Sequence, residues 1–220
     1  MKKRKNLYIA TSLLAAFVLW TVALRFVDVQ AIGPQESAVG FATINRFFHN
    51  LTGVHMTLYT ITDWLGLVPF LFVMGFAALG LAQWIHRKRL KRVDSSILIL
   101  GGFYIVVTAV YIFFEIFVVN YRPVLIAGYL EASYPSSTTT LVLCVMSTAM
   151  MQLNGRIRNR AVKRCVAVAI TAFVVSMVTL RLISGVHWLT DIIGGILLST
   201  GLVMMYDSMN RFGGKEICTV

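Results

Sequence analysis

The chain has few charged residues, few cysteines and very few acidic residues. Charged side chains make up only 13% of its 220 residues, whereas apolar side chains make up 58%. This balance excludes most water-soluble folds, in which about a quarter of the residues are charged. Nine Asp and Glu residues stand against 20 Lys and Arg residues, which gives a formal net charge of +11. Because so apolar a chain lacks the broad charged exterior that binds phosphate backbones, we expect no nucleic-acid partner.

The scarcity of cysteine and of acidic residues also limits the kinds of site that the chain can form. Cys144, Cys165 and Cys218 are far apart in the sequence, which excludes a disulfide framework and a zinc-binding spacing. The acidic residues form no paired cluster of the kind that holds a divalent cation. We therefore expect neither a metal nor a cofactor.

Long uncharged windows predict an all-α, polytopic membrane protein with six transmembrane helices. A helix needs about 20 apolar residues to cross the hydrocarbon core of a bilayer. The last apolar tract is about twice that length, so it must turn, and Ser184-Gly185 is the expected break because glycine accepts unusual backbone angles. The six predicted spans are 6–24, 64–86, 95–114, 132–155, 165–180 and 192–206.

The basic residues predict the orientation of these spans. Lys and Arg collect in cytoplasmic loops of membrane proteins. Here they are concentrated in the segments 2–5, 87–92, 156–164 and 211–215, which all fall on one side of the predicted spans. We therefore predict one multi-pass domain over residues 1–220 in the cell membrane, with both termini in the cytoplasm.

Residues 1–63 are expected to form the first span and an outer segment. Within that segment, Phe41, Ile44, Phe48 and Leu51 recur at helical spacing, which predicts a short helix in the outer interface. The basic start and the small residues at 29–31 also resemble a cleavable signal peptide. The apolar run is longer than the roughly 7–15 residues usual for such a signal, so we expect the first span to be retained.

Five ionisable residues lie toward the outer ends of the predicted spans or in the loop after the third. They are Glu115, Arg122, Arg181, His187 and Asp191. Ionisable side chains at membrane depth are costly and for that reason mark functional sites by default. Their clustering on one side predicts a single site there.

His187 and Asp191 have the spacing of neighbours on one face of a helix that begins near residue 186. A carboxylate bound to one imidazole nitrogen leaves the other nitrogen free as a base or nucleophile. Arg181 reaches the same site only if the chain turns at Ser184-Gly185. The structural alternative is an interfacial Arg181 beside a hydrogen bond that only stabilises the helix.

A second group combines Arg122-Pro123 with the hydroxyl-rich segment 133–140. Pro135 suits the first turn of a helix, and Ser and Thr side chains cap helix N-termini, where backbone N–H groups attract anions. Two arginines and a helix start form a plausible phosphate site. The alternative is that the hydroxyl groups only cap the fourth span and that Arg122 is an interfacial anchor.

In this order, these residues resemble the three-part signature of the type 2 phosphatidic acid phosphatase superfamily. That signature is Lys, six residues, Arg-Pro; then Pro-Ser-Gly-His; then Ser-Arg, five residues, His, three residues, Asp. Arg122-Pro123 matches the end of the first part, Pro135-Ser136 the start of the second, and Arg181, His187 and Asp191 the third. The resemblance covers about 115–206, which we predict to be the catalytic core.

The resemblance implies a metal-independent phosphatase that acts on a lipid phosphate or diphosphate at the extracytoplasmic face. His187 would be the nucleophile that forms a phosphohistidine, with Asp191 orienting it. Arg122, Arg181, Ser136 and Ser137 would bind the phosphoryl oxygens. The partner would be a membrane lipid. The sequence does not indicate whether the protein is a monomer or an oligomer.

Two departures from the signature bear on the chemistry, and Leu180 in place of the Ser before Arg181 is a smaller one. Thr138 stands where the family has the His that protonates the leaving alcohol, and Glu115 stands where it has Lys. Glu115 would supply the missing proton if its carboxyl group were buried and protonated, or would instead pair with Arg122 or Arg181. Ser184 or Ser137 would be alternative relays through water. These departures leave two other functions open: a lipid-phosphate binding or transport protein that does not hydrolyse its ligand, and a phosphotransferase.

Overall fold

The computed structural model describes residues 2–213, with side chains for 6–211. Lys215 and Cys218 lie outside the described residues, as do the side chains of the N-terminal basic run. Among the described residues, a hairpin of two short antiparallel strands, β1 (Gln30–Ala31) and β2 (Ala38–Val39), follows the first helix. The α-helices are α1 (Lys2–Ala23), α2 (Ala42–Thr52), α3 (Met56–Leu65), α4 (Leu67–Arg87), α5 (Ser95–Ile116), α6 (Ser137–Arg156), α7 (Arg160–Ile183) and α8 (Leu189–Gly213).

The predicted all-α polytopic membrane fold is confirmed, with five of the six spans supported by composition. The segments that are long and apolar enough to cross a membrane are Asn6–Ala23, Met56–Arg87, Ser95–Ile116, Arg160–Ile183 and Leu189–Arg211. Helix α6 has 20 residues but begins with a serine and three threonines, and several of its polar side chains are buried between neighbouring helices. The sixth span therefore stays a prediction.

Helix α8 lies at the centre of the bundle. It packs against α1, α5 and α6, and many of its side chains are buried. At one end of the bundle, the Asn6 side chain donates a hydrogen bond to Asp207 (2.9 Å). At the other end, Trp20 Nε1 donates to the backbone oxygen of Thr190 (3.3 Å). These contacts set the two ends of α1 and α8 in register, and all site residues predicted from the sequence belong to the second end.

The connection between α1 and α4 contains two short helices. The helix predicted near Phe41 to Leu51 is present as α2, and its position in the membrane interface stays a prediction. Its buried Asn45 donates to Thr190 Oγ1 (3.0 Å) and accepts from the Thr190 backbone N–H (3.2 Å), which fixes α2 to the start of α8. Helix α3 was not predicted, because its residues continue directly into the apolar run of α4.

The predicted turn at Ser184-Gly185 is confirmed. Helix α7 ends at Ile183, and Gly185 has a φ of +69°, a conformation that favours glycine. A Cβ atom on Gly185 would lie 1.9 Å from the backbone oxygen of Gly53. The His55 backbone N–H also donates to the Ser184 oxygen (2.9 Å). The turn therefore joins α7 to α8 and at the same time holds the start of α3.

Candidate active site

Three connections meet at one end of α8 to form the site. The connection from α5 to α6 folds back on itself as a narrow antiparallel ribbon, with Tyr121 opposite Ala132. Hydrogen bonds from the Arg122 backbone N–H to Glu131 O (3.0 Å) and from Ser133 N–H to Asn120 O (2.9 Å) close this ribbon. It places Arg122 and Ser133 next to the α7–α8 turn, which carries His187.

His187 does not bind Asp191 directly, which corrects the predicted geometry. Helix α8 begins at Leu189, so His187 precedes the helix and Asp191 lies in its first turn. His187 Nδ1 is 3.7 Å from Asp191 Oδ2, too far for a hydrogen bond. The Ser133 hydroxyl lies between them, 3.0 Å from Nδ1, and donates to Oδ2. Since this hydroxyl has one proton and gives it to the carboxylate, it accepts from His187 Nδ1–H.

This chain of hydrogen bonds determines which imidazole nitrogen is free. With the proton on Nδ1, the lone pair is on Nε2, and His187 Nε2 is buried without a hydrogen-bond partner among the described residues. Burial and the nearby Arg122 and Arg181 cations hold the pKa of His187 well below its usual value. The physical cause is that an imidazolium would lose its hydration and would face two other cations. The side chain is therefore a neutral imidazole with a free Nε2.

Asp191 is held by several donors besides Ser133. Its Oδ2 accepts from the Trp188 backbone N–H (2.9 Å), so the carboxylate caps the first turn of α8. Its Oδ1 accepts from the Asn120 side chain at 3.5 Å. A carboxylate at the N-terminus of a helix is also stabilised by the helix dipole. Asp191 is thus fixed as an acceptor, and it orients His187 through Ser133.

Arg122 and Arg181 both lie beside the ring of Tyr59 in α3. The Arg181 guanidinium carbon is 4.7 Å from the centre of the ring, and that of Arg122 is 5.8 Å from it. Each arginine has a carboxylate nearby: Arg122 Nε is 3.1 Å from Glu131, and Arg181 Nη2 is 4.0 Å from Asp63. Both guanidinium groups are buried, and they lie close enough to His187 to lower its pKa.

Four buried nitrogens in this cluster have no hydrogen-bond partner among the residues that the structure describes. They are Arg122 Nε and Nη1, Arg181 Nε and His187 Nε2, and of these Arg122 Nε has the Glu131 carboxylate 3.1 Å away. Buried polar atoms in folded proteins are almost always paired, so unpaired ones need an explanation. Two guanidinium donors beside an imidazole lone pair suit a phosphoryl group, whose oxygens accept from arginine while its phosphorus meets the nucleophile.

The predicted hydroxyl groups are located at the start of α6. A hydroxyl of this segment caps the helix, as predicted: Ser136 is the N-cap residue, and its hydroxyl accepts from the Thr139 backbone N–H (3.5 Å). Pro135 precedes the cap and does not occupy the first helical position, which corrects that expectation. The Ser136 backbone N–H donates to Asp191 O (3.1 Å), so that donor is already used. Ser137 and Thr138 line a cavity of about 470 Å³. The phosphate-binding role of Ser136 and Ser137 stays a prediction.

The same cavity runs between α4, α5 and α6. Its polar lining includes Ser133, Thr138, Glu115 and Asp63, and most of the remaining wall is apolar. Ser133 also contacts His187, so the cavity adjoins the candidate site through Ser133. A mostly apolar space beside buried arginines has the polarity that suits a lipid with a phosphate head group.

Glu115 is placed differently from the sequence-based expectation. It and Arg122 would share a helical face only if the third span continued to Arg122, but α5 ends at Ile116. The Glu115 side chain is exposed, and the carboxylates next to the two arginines are those of Glu131 and Asp63. Neither the acid role nor the pairing role of Glu115 gains support from this arrangement, and both stay predictions.

Sequence reasoning missed several residues of the site. Ser133 was assigned only to a hydroxyl-rich segment, and nothing in its spacing points to His187, 54 positions away. Tyr59, Thr62 and Asp63 lie outside the motif-bearing half of the chain. Their spacing of three and four residues is a signal for one helical face, but it becomes informative only once α3 is known to lie against Arg181.

Comparisons with known proteins support this arrangement. Residues 117–212 match the model of the PAP2 superfamily. No curated protein matches the sequence. Among solved structures, the chain is similar to the first transmembrane PAP2 type phosphatidylglycerolphosphate phosphatase from Bacillus subtilis, with a TM-score of 0.63 and 16% identity over 93% of this chain and 97% of that chain. At that identity the likeness shows the fold alone. The resemblance inferred from the motifs is thus confirmed by the family model: the chain is a multi-pass membrane protein whose residues 117–212 match that of the PAP2 superfamily.

Proposed function

We propose that this protein hydrolyses a lipid phosphate or diphosphate through a phosphohistidine on His187. The observation that carries the proposal is the set of four buried nitrogens of Arg122, Arg181 and His187 that have no hydrogen-bond partner among the described residues. The family match and the apolar cavity that adjoins Ser133 support the same conclusion. The preorganised guanidinium groups would bind the phosphoryl oxygens and stabilise the charge that develops in the transition state.

The reaction would proceed in two displacements at phosphorus. In the first, the His187 Nε2 lone pair attacks phosphorus, the bond from phosphorus to the lipid oxygen breaks, and the lipid alcohol or phosphate leaves. In the second, water attacks the phosphohistidine, the P–N bond breaks, and inorganic phosphate and neutral His187 are regenerated. Ser133 and Asp191 keep the proton on Nδ1 during attack and stabilise the positive charge that the ring gains.

The substrate would enter with its chain between α4, α5 and α6. The cavity there is bounded by apolar side chains such as Phe70, Val107, Phe114 and Leu141, and it holds about 470 Å³. Phosphatidic acid, phosphatidylglycerol phosphate and an isoprenoid diphosphate are the candidate substrates. We further propose that the site faces the extracytoplasmic side, because the basic segments 87–92 and 156–164 lie at the opposite ends of the long helices.

A non-hydrolytic binding protein is the second candidate, and a specific observation favours it. Thr138 replaces the imidazole that donates the leaving-group proton in the family, and a threonine hydroxyl is too weak an acid to do so directly. A phosphotransferase that passes the group to another acceptor would use the same arginines and His187. Metal independence stays a prediction of the family resemblance.

The test is phosphate release from the three candidate lipids by the purified full chain in detergent. We expect His187→Ala to abolish release, because it removes the proposed nucleophile. His86→Ala is the matched control, since His86 is exposed near the far end of α4, and this variant should retain full activity. Retained hydrolysis in His187→Ala would remove His187 from the nucleophile role. Absence of turnover in the wild-type protein would favour the binding function.

A further inference from the structure

One face of helix α3 contacts the two arginines of the candidate site. Tyr59, Thr62 and Asp63 are three and four residues apart, so their side chains lie together on that face. The helix lies outside residues 117–212, the part of the chain that matches the superfamily model. This face is therefore a component of the site that the family match does not include.

Each of the three side chains makes a different contact with Arg181. The Tyr59 ring lies 4.7 Å from its guanidinium carbon. Thr62 Oγ1 accepts a hydrogen bond from Arg181 Nη1 at 3.1 Å, and Asp63 Oδ1 is 4.0 Å from Nη2. The Thr62 hydroxyl gives its own proton to the backbone oxygens of Leu58 and Tyr59 (both 2.9 Å), so it presents only a lone pair to the arginine.

The position of α3 is fixed by the turn that also carries His187. The backbone of Gly53 lies against Gly185, and the His55 N–H donates to the Ser184 oxygen (2.9 Å). Helix α3 then packs along α7, which ends just after Arg181. A change in the position of α3 would therefore move the groups that hold Arg181 relative to His187.

We propose that the Tyr59, Thr62 and Asp63 face positions the guanidinium groups of Arg181 and Arg122 for the phosphoryl group; this inference rests on the proposed phosphate site. Two buried cations beside one another repel, and a buried arginine without compensating partners is strongly unfavourable. The Tyr59 ring is close to both guanidinium groups, and the face of an aromatic ring attracts cations. Thr62 binds Nη1 of Arg181 and the Asp63 carboxylate lies 4.0 Å from Nη2, while Nε stays unpaired for a phosphoryl oxygen.

These three are positioning residues, because each acts through an arginine. The expected effect is thus on the binding of a phosphate-like anion, and it should depend on ring character at residue 59 and on the hydroxyl at residue 62. A purely structural role would lower stability and leave the affinity of the folded protein unchanged.

The experiment is isothermal titration calorimetry of orthovanadate, a phosphate analogue, into the purified full chain in detergent, with the melting temperature measured beside it. We expect Tyr59→Leu to raise the Kd about tenfold, because the cation–π contacts are lost, and Tyr59→Phe to keep it within about threefold. Thr62→Val should also raise the Kd about tenfold, since it leaves Arg181 Nη1 unpaired. Thr60→Val is its matched control on the exposed side of α3 and should bind as the wild type does.

The proposal would be overturned if folded Tyr59→Leu and Thr62→Val bound orthovanadate as tightly as the wild type does. It would also be overturned if Tyr59→Phe lost as much affinity for orthovanadate as Tyr59→Leu. If Tyr59→Leu fails to fold, Thr62→Val decides, with Thr60→Val as its reference. Failure of the proposed function gives a different pattern, in which the α3 variants weaken orthovanadate binding but His187→Ala still releases phosphate. An inability of the wild-type protein to bind orthovanadate would overturn the phosphate site on which both proposals rest.

Discussion

Ser133 links His187 to Asp191, and its hydroxyl determines how the imidazole is oriented. The carboxylate is too far from Nδ1 to bind it, and the serine accepts from the ring while donating to the acid. Two hydrogen bonds in series thus do what one does in a direct His–Asp pair. The orientation of the proposed nucleophile depends on this hydroxyl as much as on Asp191.

Ser133→Ala should therefore lower kcat/KM about 10- to 100-fold with little change in melting temperature. The substitution leaves Nδ1 without an acceptor and Asp191 with one donor fewer, which permits the wrong tautomer. Phosphate release measured over a range of lipid concentrations gives kcat and KM separately. Ser199→Ala, at a buried serine that donates to backbone oxygens of α6 and α8, is the matched control. Equal activity of both variants would show that Ser133 does not orient His187.

Thr138 and Glu115 are the two positions that bear on which group donates a proton to the leaving lipid. We expect Thr138→His to raise kcat at least tenfold, because an imidazole at the cavity wall near Ser133 supplies a general acid, and such acids are typically worth about 10²–10⁴-fold. Glu115→Gln should change kcat less than twofold, since the Glu115 side chain is exposed and the carboxylates beside the two arginines are those of Glu131 and Asp63. A large loss of kcat in Glu115→Gln would instead assign the acid role to Glu115.

The residues that sequence analysis identified are those with a recognisable spacing. Arg181, His187 and Asp191 stand out because charged groups in an apolar tract are rare and their intervals match a known signature. Ser133 and Tyr59 have ordinary neighbours, and their roles come from contacts across the fold. The expectation that His187 and Asp191 lie within direct hydrogen-bonding reach on one helical face was wrong: α8 begins two residues after His187, and the two side chains are 3.7 Å apart with the Ser133 hydroxyl between them.

At the scale of the elements, contact between α8 and Tyr134 sets the position of the ribbon that carries Ser133. The Tyr134 ring packs between Phe17 and Phe114, and its hydroxyl is 2.7 Å from Thr21 Oγ1. Gly194 in α8 allows the ring to approach, because a Cβ atom there would lie 2.4 Å from Tyr134 Cε2. The close contact of α8 with this ring depends on a glycine.

Gly194→Ala should lower the melting temperature in detergent and reduce activity together. Overpacking of this kind typically costs about 1–3 kcal/mol, and the displaced ring would shift the neighbouring Ser133. Gly101→Ala in α5 is the matched control: no atom lies within 4 Å of its Cβ position, and alanine favours a helix by up to about 1 kcal/mol. Unchanged stability and activity in Gly194→Ala would contradict the close packing of Tyr134 on α8.

The sequence predicted long helices well and short elements poorly. Apolar length and flanking charges located α1, α4, α5, α7 and α8, because a bilayer imposes a minimum length on a span. Helix α3 was not predicted because it continues the apolar run of α4, and the two helices are separated only at Gly66. The predicted start of the fourth span, residue 132, was early because the ribbon uses the residues up to Ser136.

At the scale of the whole molecule, the described basic residues that predict the orientation lie at one end of the bundle and the arginines of the candidate site lie at the other. The basic segments 87–92 and 156–164 lie at the end of the bundle opposite the site, where Arg87 pairs with Asp94. The arginines that contact Tyr59 lie at the other end and are buried. The domain limits 1–63 and 115–206 stay predictions, and the contacts of α3 with Arg181 indicate that the site draws on both parts.

The most direct test of the central claim is to trap the phosphoenzyme. The purified full chain would be mixed with each of the three candidate lipids carrying a labelled terminal phosphate, quenched in alkali and digested for mass spectrometry. We predict acid-labile label on His187, absent in His187→Ala and unaffected in His86→Ala. Release of phosphate without label on His187, or label on another residue, would contradict the account.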